Sequence, residues 1–220
     1  MVETLAHGVP VHTSPDHPIG SDTLQLARFL RLRPDARLCD LGTGCGILPL
    51  LLIDGGHTGP IDAVEIQPDA IALLERSVAL GEIRGLRPLQ ADLRKLAGIL
   101  PAGAYDAVCC NPPYYPVGTG RLSPSASRTA ARHESDCTFE DICTAAARLL
   151  RFSGRFFCCA PPARLFELAD TLRRHRLEPK RMQLVQHRAD KTPYLLLLES
   201  RLGGKPGLTV QPTLIQEAER

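Results

Sequence analysis

Asp40-Leu41-Gly42-Thr43-Gly44-Cys45-Gly46 is the stretch that decides the fold. A strand, 36–41, leads into three alternating glycines, and the apolar stretch 47–53 follows directly. A strand that runs into glycines and then into a helix is a βα junction. Glycine lets the chain turn sharply there and lets a ligand come close to the backbone. A merely tight βα turn would share this pattern.

Outward from that junction, strand and helix alternate. Ser21 stands in N-cap position for a helix with Leu24, Ala27 and Leu30 on one face, ending before Arg33-Pro34. Gly55-Gly56 ends the helix 47–53, a second strand covers 61–66, and Pro68 opens a helix over 69–80. Strands follow at 86–91 and 105–110, then a loop from Asn111 to about Cys137 and a helix over 139–150. A strand at 155–159, a helix from Pro162 to about His175, and strands at 181–185 and 194–199 complete the series. Such alternation predicts an α/β fold: a single doubly wound, mainly parallel seven-stranded sheet with helices on both faces. The last two strands lack a helix between them, so they should pair antiparallel. One domain is expected over 1–220, with an N-terminal cap segment (1–35), a Rossmann-like core (36–202) and a surface tail (203–220).

Composition narrows the class. A hydrophobic fraction of 44% supplies a packed core, and a formal net charge of +2 does not by itself predict a polyanion partner. No run of about 18 uncharged apolar residues occurs, so no membrane partner is expected. Met1-Val2-Glu3-Thr4 lacks the basic start of a signal peptide. None of the eight cysteines has metal-knuckle spacing, and the doublets Cys109-Cys110 and Cys158-Cys159 should point to opposite faces of their strands. The expectation is no metal, with free thiols packed as small core residues in a reducing, cytoplasmic compartment.

Charge is unevenly placed. Arg173, Arg174, Arg176, Lys180, Arg181, Arg188 and Lys191 lie close in sequence with only Glu178 and Asp190 between them, and Arg121, Arg128 and Arg132 form a second basic group. Each group is either a solvated face or part of a surface that tracks phosphates.

Three further features sit where a doubly wound sheet binds ligands, at the carboxyl ends of its strands. Glu65 closes the second strand, where a carboxylate can accept both hydroxyls of a ribose, and Asp92 follows the third. A glycine turn plus a strand-end acid fits a nicotinamide cofactor as well as S-adenosylmethionine, although the glycine spacing departs from the dinucleotide fingerprint. Asn111-Pro112-Pro113-Tyr114 ends the fourth strand. Its prolines fix φ and remove backbone donors, so the turn offers the Asn amide oxygen and a Pro carbonyl beside an aromatic face. That arrangement suits a planar amine stacked on Tyr114.

Together these residues resemble the class I S-adenosylmethionine-dependent methyltransferases that act on amino groups. Ala131-Arg132-His133-Glu134, Cys137-Thr138-Phe139-Glu140-Asp141 and Glu178-Pro179-Lys180-Arg181 narrow the resemblance to the bacterial tRNA(Val) (adenine-N6)-methyltransferases, those of the Gram-positive type above all. The likeness runs from about Gly20 to Pro212, and the segment after Pro212-Thr213-Leu214-Ile215 is shorter than that family leads one to expect. It implies S-adenosyl-L-methionine as cofactor, held by Asp22, Asp40, Gly42, Gly44, Gly46, Glu65, Ile66, Asp92, Leu93 and Asn111. It implies catalysis at Asn111, Pro112, Pro113 and Tyr114, and tRNA contacts at Arg121, Arg128, Arg132, Arg174, Lys180 and Arg181. Asp22 is equally well explained as an acid favoured in a helix's first turn. Release-factor glutamine methyltransferases and DNA or rRNA adenine methyltransferases share the turn. The former carry a helical domain ahead of the cofactor turn, where this chain has 39 residues. The DNA enzymes need a target-recognition domain. An NAD enzyme, or a binding protein without catalysis, would leave 111–114 unexplained.

Overall fold

The computed structural model of the chain describes residues 1–112 and 137–216; Pro113, Tyr114, Arg121, Arg128 and Arg132 lie outside them. The chain opens with a hairpin of β1 (Val2–Thr4) and β2 (Pro10–His12), which the sequence pattern does not reveal. Helix α1 (Ser21–Phe29) leads to β3 (Leu38–Leu41), α2 (Ile47–Asp54), β4 (Ile61–Glu65), α3 (Pro68–Leu80) and β5 (Leu86–Gln90). After a short 3-10 turn come β6 (Tyr105–Cys110), α4 (Phe139–Leu149), β7 (Leu150–Ala160), α5 (Leu165–Arg174), β8 (Leu177–Gln186) and β9 (Leu195–Leu202). Two short strands, β10 (Thr209–Val210) and β11 (Leu214–Ile215), end the described chain.

The central sheet runs β8-β9-β7-β6-β3-β4-β5, and only β9 is antiparallel to its neighbours among these seven strands. Three corrections apply to the expected outline. Residues 203–216 do more than lie on the surface: β10 and β11 both add to β8 in parallel, so the sheet has nine strands. Ser21 is not the N-cap of the first helix; Gly20 is, and Leu26 and Phe29 rather than Leu24 and Ala27 form the buried face. The strand at 155–159 starts earlier, at Leu150, because Leu150 pairs with Tyr105 before the register shifts and Arg155 pairs with Ala107.

Two apolar layers enclose the sheet. On one face α1, α2 and α3 pack through Leu26, Phe29, Leu48, Leu50 and Leu74; on the other, α4 and α5 pack through Ile142, Leu149, Leu168 and Leu172. Each cysteine doublet divides between the layers: Cys109 and Cys159 join the first, Cys110 and Cys158 the second, as period-two alternation requires. All eight thiols are free, and seven are buried. Helix α4 starts at a capping box in which Thr138 accepts from the Asp141 N–H and Asp141 accepts from the Thr138 N–H.

At the amino ends of the strands, one buried carboxylate gathers three donors. Asp62 accepts from the Tyr105 hydroxyl at 2.5 Å, from Arg87 Nε at 2.6 Å and from Arg37 Nη2 at 3.4 Å. Burial, then the bond to Asp62, pushes the Tyr105 hydroxyl up, so it stays a donor. Removing the acceptor would strand a buried hydroxyl while the two partly exposed arginines turn to water. Asp62→Ala should therefore cost about 2–4 kcal/mol, seen as a lower denaturation midpoint with unchanged m-value. A midpoint within error of wild type would show that Asp62 does not brace this end.

Candidate active site

Strand order reverses at β3: β4 and β5 lie to one side, β6 and β7 to the other. Such a switch opens a crevice at the carboxyl ends of the strands. Asp40, Glu65, Asp92 and Asn111 stand at or just past the ends of β3, β4, β5 and β6. The four residues singled out from sequence thus meet at one end of the sheet.

The glycine turn is held from two sides. Gly42 and Thr43 N–H groups both donate to the Val64 carbonyl at 2.9 Å, and Gly44 N–H donates to Glu65 Oε2 at 2.9 Å. Gly42, Gly44 and Gly46 have φ of 70°, 57° and 81°, the left-handed region that a side chain resists. A Cβ on Gly42 or Gly44 would meet nothing within 4 Å, whereas one on Gly46 would lie 2.2 Å from Leu74. The first two glycines therefore leave room for a ligand above the turn, and the third lets α2 pack on α3.

Asp40 is buried under the turn, accepting from Thr43 Oγ1 at 2.6 Å and from Cys109 Sγ at 3.2 Å. Burial pushes its carboxyl up to about 6 against the pull of those two bonds, with a further push from Glu65. Glu65 is buried too; Oε1 accepts from the Ile66 and Gln67 N–H groups at 2.8 and 3.0 Å. Ile66 itself is 45% exposed at the strand end, an apolar surface beside the acid. Asp92 caps the 3-10 turn that includes Leu93. It accepts from Arg94 Nε and Nη2 at 3.0 and 2.8 Å, which hold its carboxyl below the usual range.

Asn111 is half-buried. Its Nδ2 donates to Thr23 Oγ1 at 2.8 Å and its Oδ1 accepts from Cys159 Sγ at 3.2 Å. Helix α1 therefore reaches the site, bringing Asp22, which accepts from Ser21 Oγ at 3.1 Å. Sequence reading missed Thr23 and Cys159. Their partners are 88 and 48 residues away, so no local pattern announces the contacts.

The described basic residues expected at RNA are not gathered here. Arg174, at the end of α5, lies toward the amino end of β8 and pairs with Glu140 and Asp170. Lys180 donates to the Lys205 carbonyl. Arg181 is an internal brace: it pairs with Glu199 at 2.7 Å, donates to the Phe29 carbonyl and lies 3.8 Å over the Phe29 ring. The β8–β9 connection, by contrast, is at the carboxyl end. There His187 stacks on Tyr194 at 4.1 Å, and Arg188 and Lys191 are exposed.

An acid buried beneath the glycine turn, an acid and an exposed apolar side chain on the next strand, and an amide off the fourth meet at the carboxyl-end crevice. The set fits S-adenosylmethionine: a cation over the turn would meet Asp40, and sugar hydroxyls would meet Glu65. Comparison with known proteins gives the family. A family model, the methyltransferase small domain, matches residues 7–161, and the chain belongs to that family. The chain is 32% identical over 206 residues to the tRNA1(Val) (adenine(37)-N6)-methyltransferase of Tolumonas auensis, covering 89% of this chain and 80% of the relative. It is 25% identical over 201 residues to the protein of the same name in Aliivibrio salmonicida, covering 91% and 80%. Among solved structures, a predicted O-methyltransferase from Agrobacterium tumefaciens superposes with a TM-score of 0.69 at 20% identity, covering 88% of this chain and 86% of that one. The 16S rRNA N2 G1207 methyltransferase of T. thermophilus, solved with AdoMet and guanosine, gives 0.62 at 19% identity, covering 91% and 49%. The protein is an S-adenosylmethionine-dependent methyltransferase.

Binding of a cation over the glycine turn should depend on pH through Asp40. A carboxyl near 6 in the folded chain, against an ordinary 3.8, contributes stability that is complete below about pH 4 and lost as pH rises through about 6. The difference amounts to about 3 kcal/mol. A cationic ligand favours the ionised form, so S-adenosylmethionine affinity should rise between about pH 5 and 7 with proton release on binding. Calorimetry in buffers of different ionisation heat reads both effects, and Asp40→Asn should remove them. Affinity that is flat across that range would separate Asp40 from the cofactor's charge.

Proposed function

We propose that the protein methylates the exocyclic amine of an adenine in tRNA, beside the anticodon of valine tRNA. The observation that carries this reading is Asn111, placed by β6 next to the glycine turn and directly before two prolines. The names of the two relatives support the choice of substrate.

Bound S-adenosylmethionine supplies an electrophilic methyl group; the chain's task is to present the amine. An adenine amine is a weak nucleophile because its lone pair is delocalised into the ring. Accepting its hydrogens at the Asn111 amide oxygen and the Pro112 carbonyl orients the nitrogen and favours its tetrahedral, nucleophilic form. No strong base is required, since the nitrogen's proton becomes acidic as the carbon–nitrogen bond forms and can leave to water. Tyr114 stacks on the base once it has left the anticodon-loop stack. Phosphate contacts come from Arg121, Arg128 and Arg132, which follow the turn in sequence, and from the exposed Arg188 and Lys191 at the carboxyl end of β8. Asp22, on α1, closes over the methionine end of the cofactor.

Two experiments test this assignment. Asn111→Ala keeps both prolines, so the fold and most of the cofactor affinity should survive while single-turnover methyl transfer to an unmodified tRNA transcript falls on the order of 100-fold. Tyr114→Ala should instead weaken tRNA binding by about 1–3 kcal/mol. Near wild-type transfer by Asn111→Ala would end the amine-acceptor role of the turn. In the second experiment, tRNA affinity should fall steeply with salt, and Lys191→Ala should flatten the log–log slope by about one unit. Arg174→Ala, whose side chain is taken up by Glu140 and Asp170 toward the other end, should leave the slope alone. A slope altered by Arg174→Ala and not by Lys191→Ala would put the RNA on the opposite side.

A further inference from the structure

We propose that Thr23 and Cys159 are positioning residues that set the orientation of the Asn111 side-chain amide. The inference rests on the amine-acceptor reading of Asn111, and it addresses a problem that reading leaves open. A primary amide has an oxygen and a nitrogen of nearly equal size, and a half-turn about the last side-chain bond exchanges them. With the oxygen toward the substrate, Asn111 accepts a hydrogen from the amine. With the nitrogen there, two donors face each other and the amine is repelled. The prolines fix the backbone of the turn, but they do not act on this bond.

Two side chains hold the amide, and one of them breaks its symmetry. Thr23 Oγ1, on α1, lies 2.8 Å from Asn111 Nδ2 and accepts from it. Cys159 Sγ, next to last in β7 and buried, lies 3.2 Å from Oδ1 and donates to it. A thiol is a donor to oxygen and only a weak acceptor, so the flipped amide would lose a bond on the Cys159 side. An amide oxygen accepts two hydrogen bonds, so accepting from Cys159 is compatible with accepting from a substrate amine. The two partners come from different elements, one on each side of the residue in sequence. Asp22 precedes Thr23, so the helix that carries the proposed cofactor-closing acid also carries the partner of the amide nitrogen.

Asn111 is the sole asparagine in the 220 residues, which makes the amide directly observable. Labelling asparagine alone with 15N yields one side-chain NH2 pair, and its solvent exchange can be followed without any substrate. In the full chain, Thr23→Val keeps the shape and removes the acceptor; Thr23→Ser restores it. Exchange at that pair should quicken about tenfold in Thr23→Val and return in Thr23→Ser. Under single turnover with saturating cofactor, methyl transfer to tRNA should fall about tenfold in Thr23→Val at unchanged cofactor affinity, again with rescue by serine. Cys159→Ser, which keeps a donor, should transfer faster than Cys159→Ala. A contact that only docks α1 would lower the melting temperature without moving the NH2 exchange or separating rate from cofactor affinity. Unchanged exchange in Thr23→Val, or wild-type transfer by it, overturns the proposal. If wild-type protein fails to methylate tRNA adenine, the substrate reading falls, and the NH2 exchange still decides the role of Thr23.

Discussion

The buried carboxylate of Asp40 is the constraint on which the site depends. It joins the glycine turn, through Thr43, to the strand that ends in Asn111, through Cys109. Those are the two sides of the crevice opened where strand order reverses. Burying an acid in this way is costly, and the raised carboxyl records that cost. Two hydrogen bonds offset part of it, and a cationic ligand would offset more. The same residue therefore braces the turn and, on the proposed reading, would favour a positively charged cofactor, linking local folding at β3 to function.

The two ends of the sheet use charge differently. At the amino ends, Asp62 is consumed by Arg37, Arg87 and Tyr105, and Asp106 by Arg151. Arg181 is spent on Glu199 and Phe29 in the middle of β8. At the carboxyl ends, the acids beneath the ligand site are satisfied largely by backbone N–H groups and hydroxyl or thiol donors. Glu65 holds Gly44, Ile66 and Gln67, and Asp40 holds Thr43 and Cys109. Asp92, paired with Arg94, is the exception. Backbone donors fix a carboxylate in place while leaving its charge uncancelled by a cation, which suits a pocket for a cationic ligand.

Much of this was legible in the residues because it depends on local chemistry. Alternating glycines after the first strand and Pro68 at a helix start act within a few positions and lie where expected, and Asn111 directly follows β6. Period-two alternation placed the cysteine doublets on both faces. What escaped depends on distant pairing. The β1–β2 hairpin is pinned by Asp54 on α2 and Ser77 on α3, and β10 and β11 exist through β8, so segments of two or three residues become strands by docking. The basic run 173–191 is divided for a related reason. It is contiguous in sequence, yet the chain carries it from the amino end of β8 to the carboxyl end, dividing it between structural ion pairs and the site side.

The most direct measurement is methyl transfer from S-adenosylmethionine to total tRNA purified from cells lacking the protein, followed by nucleoside mass spectrometry and mapping of the modified position. N6-methyladenosine beside the anticodon of valine tRNA is the expected product. A methyl group on another base, or unmodified tRNA alongside a methylated protein glutamine, would contradict the assignment of the Asn111 turn to a tRNA adenine.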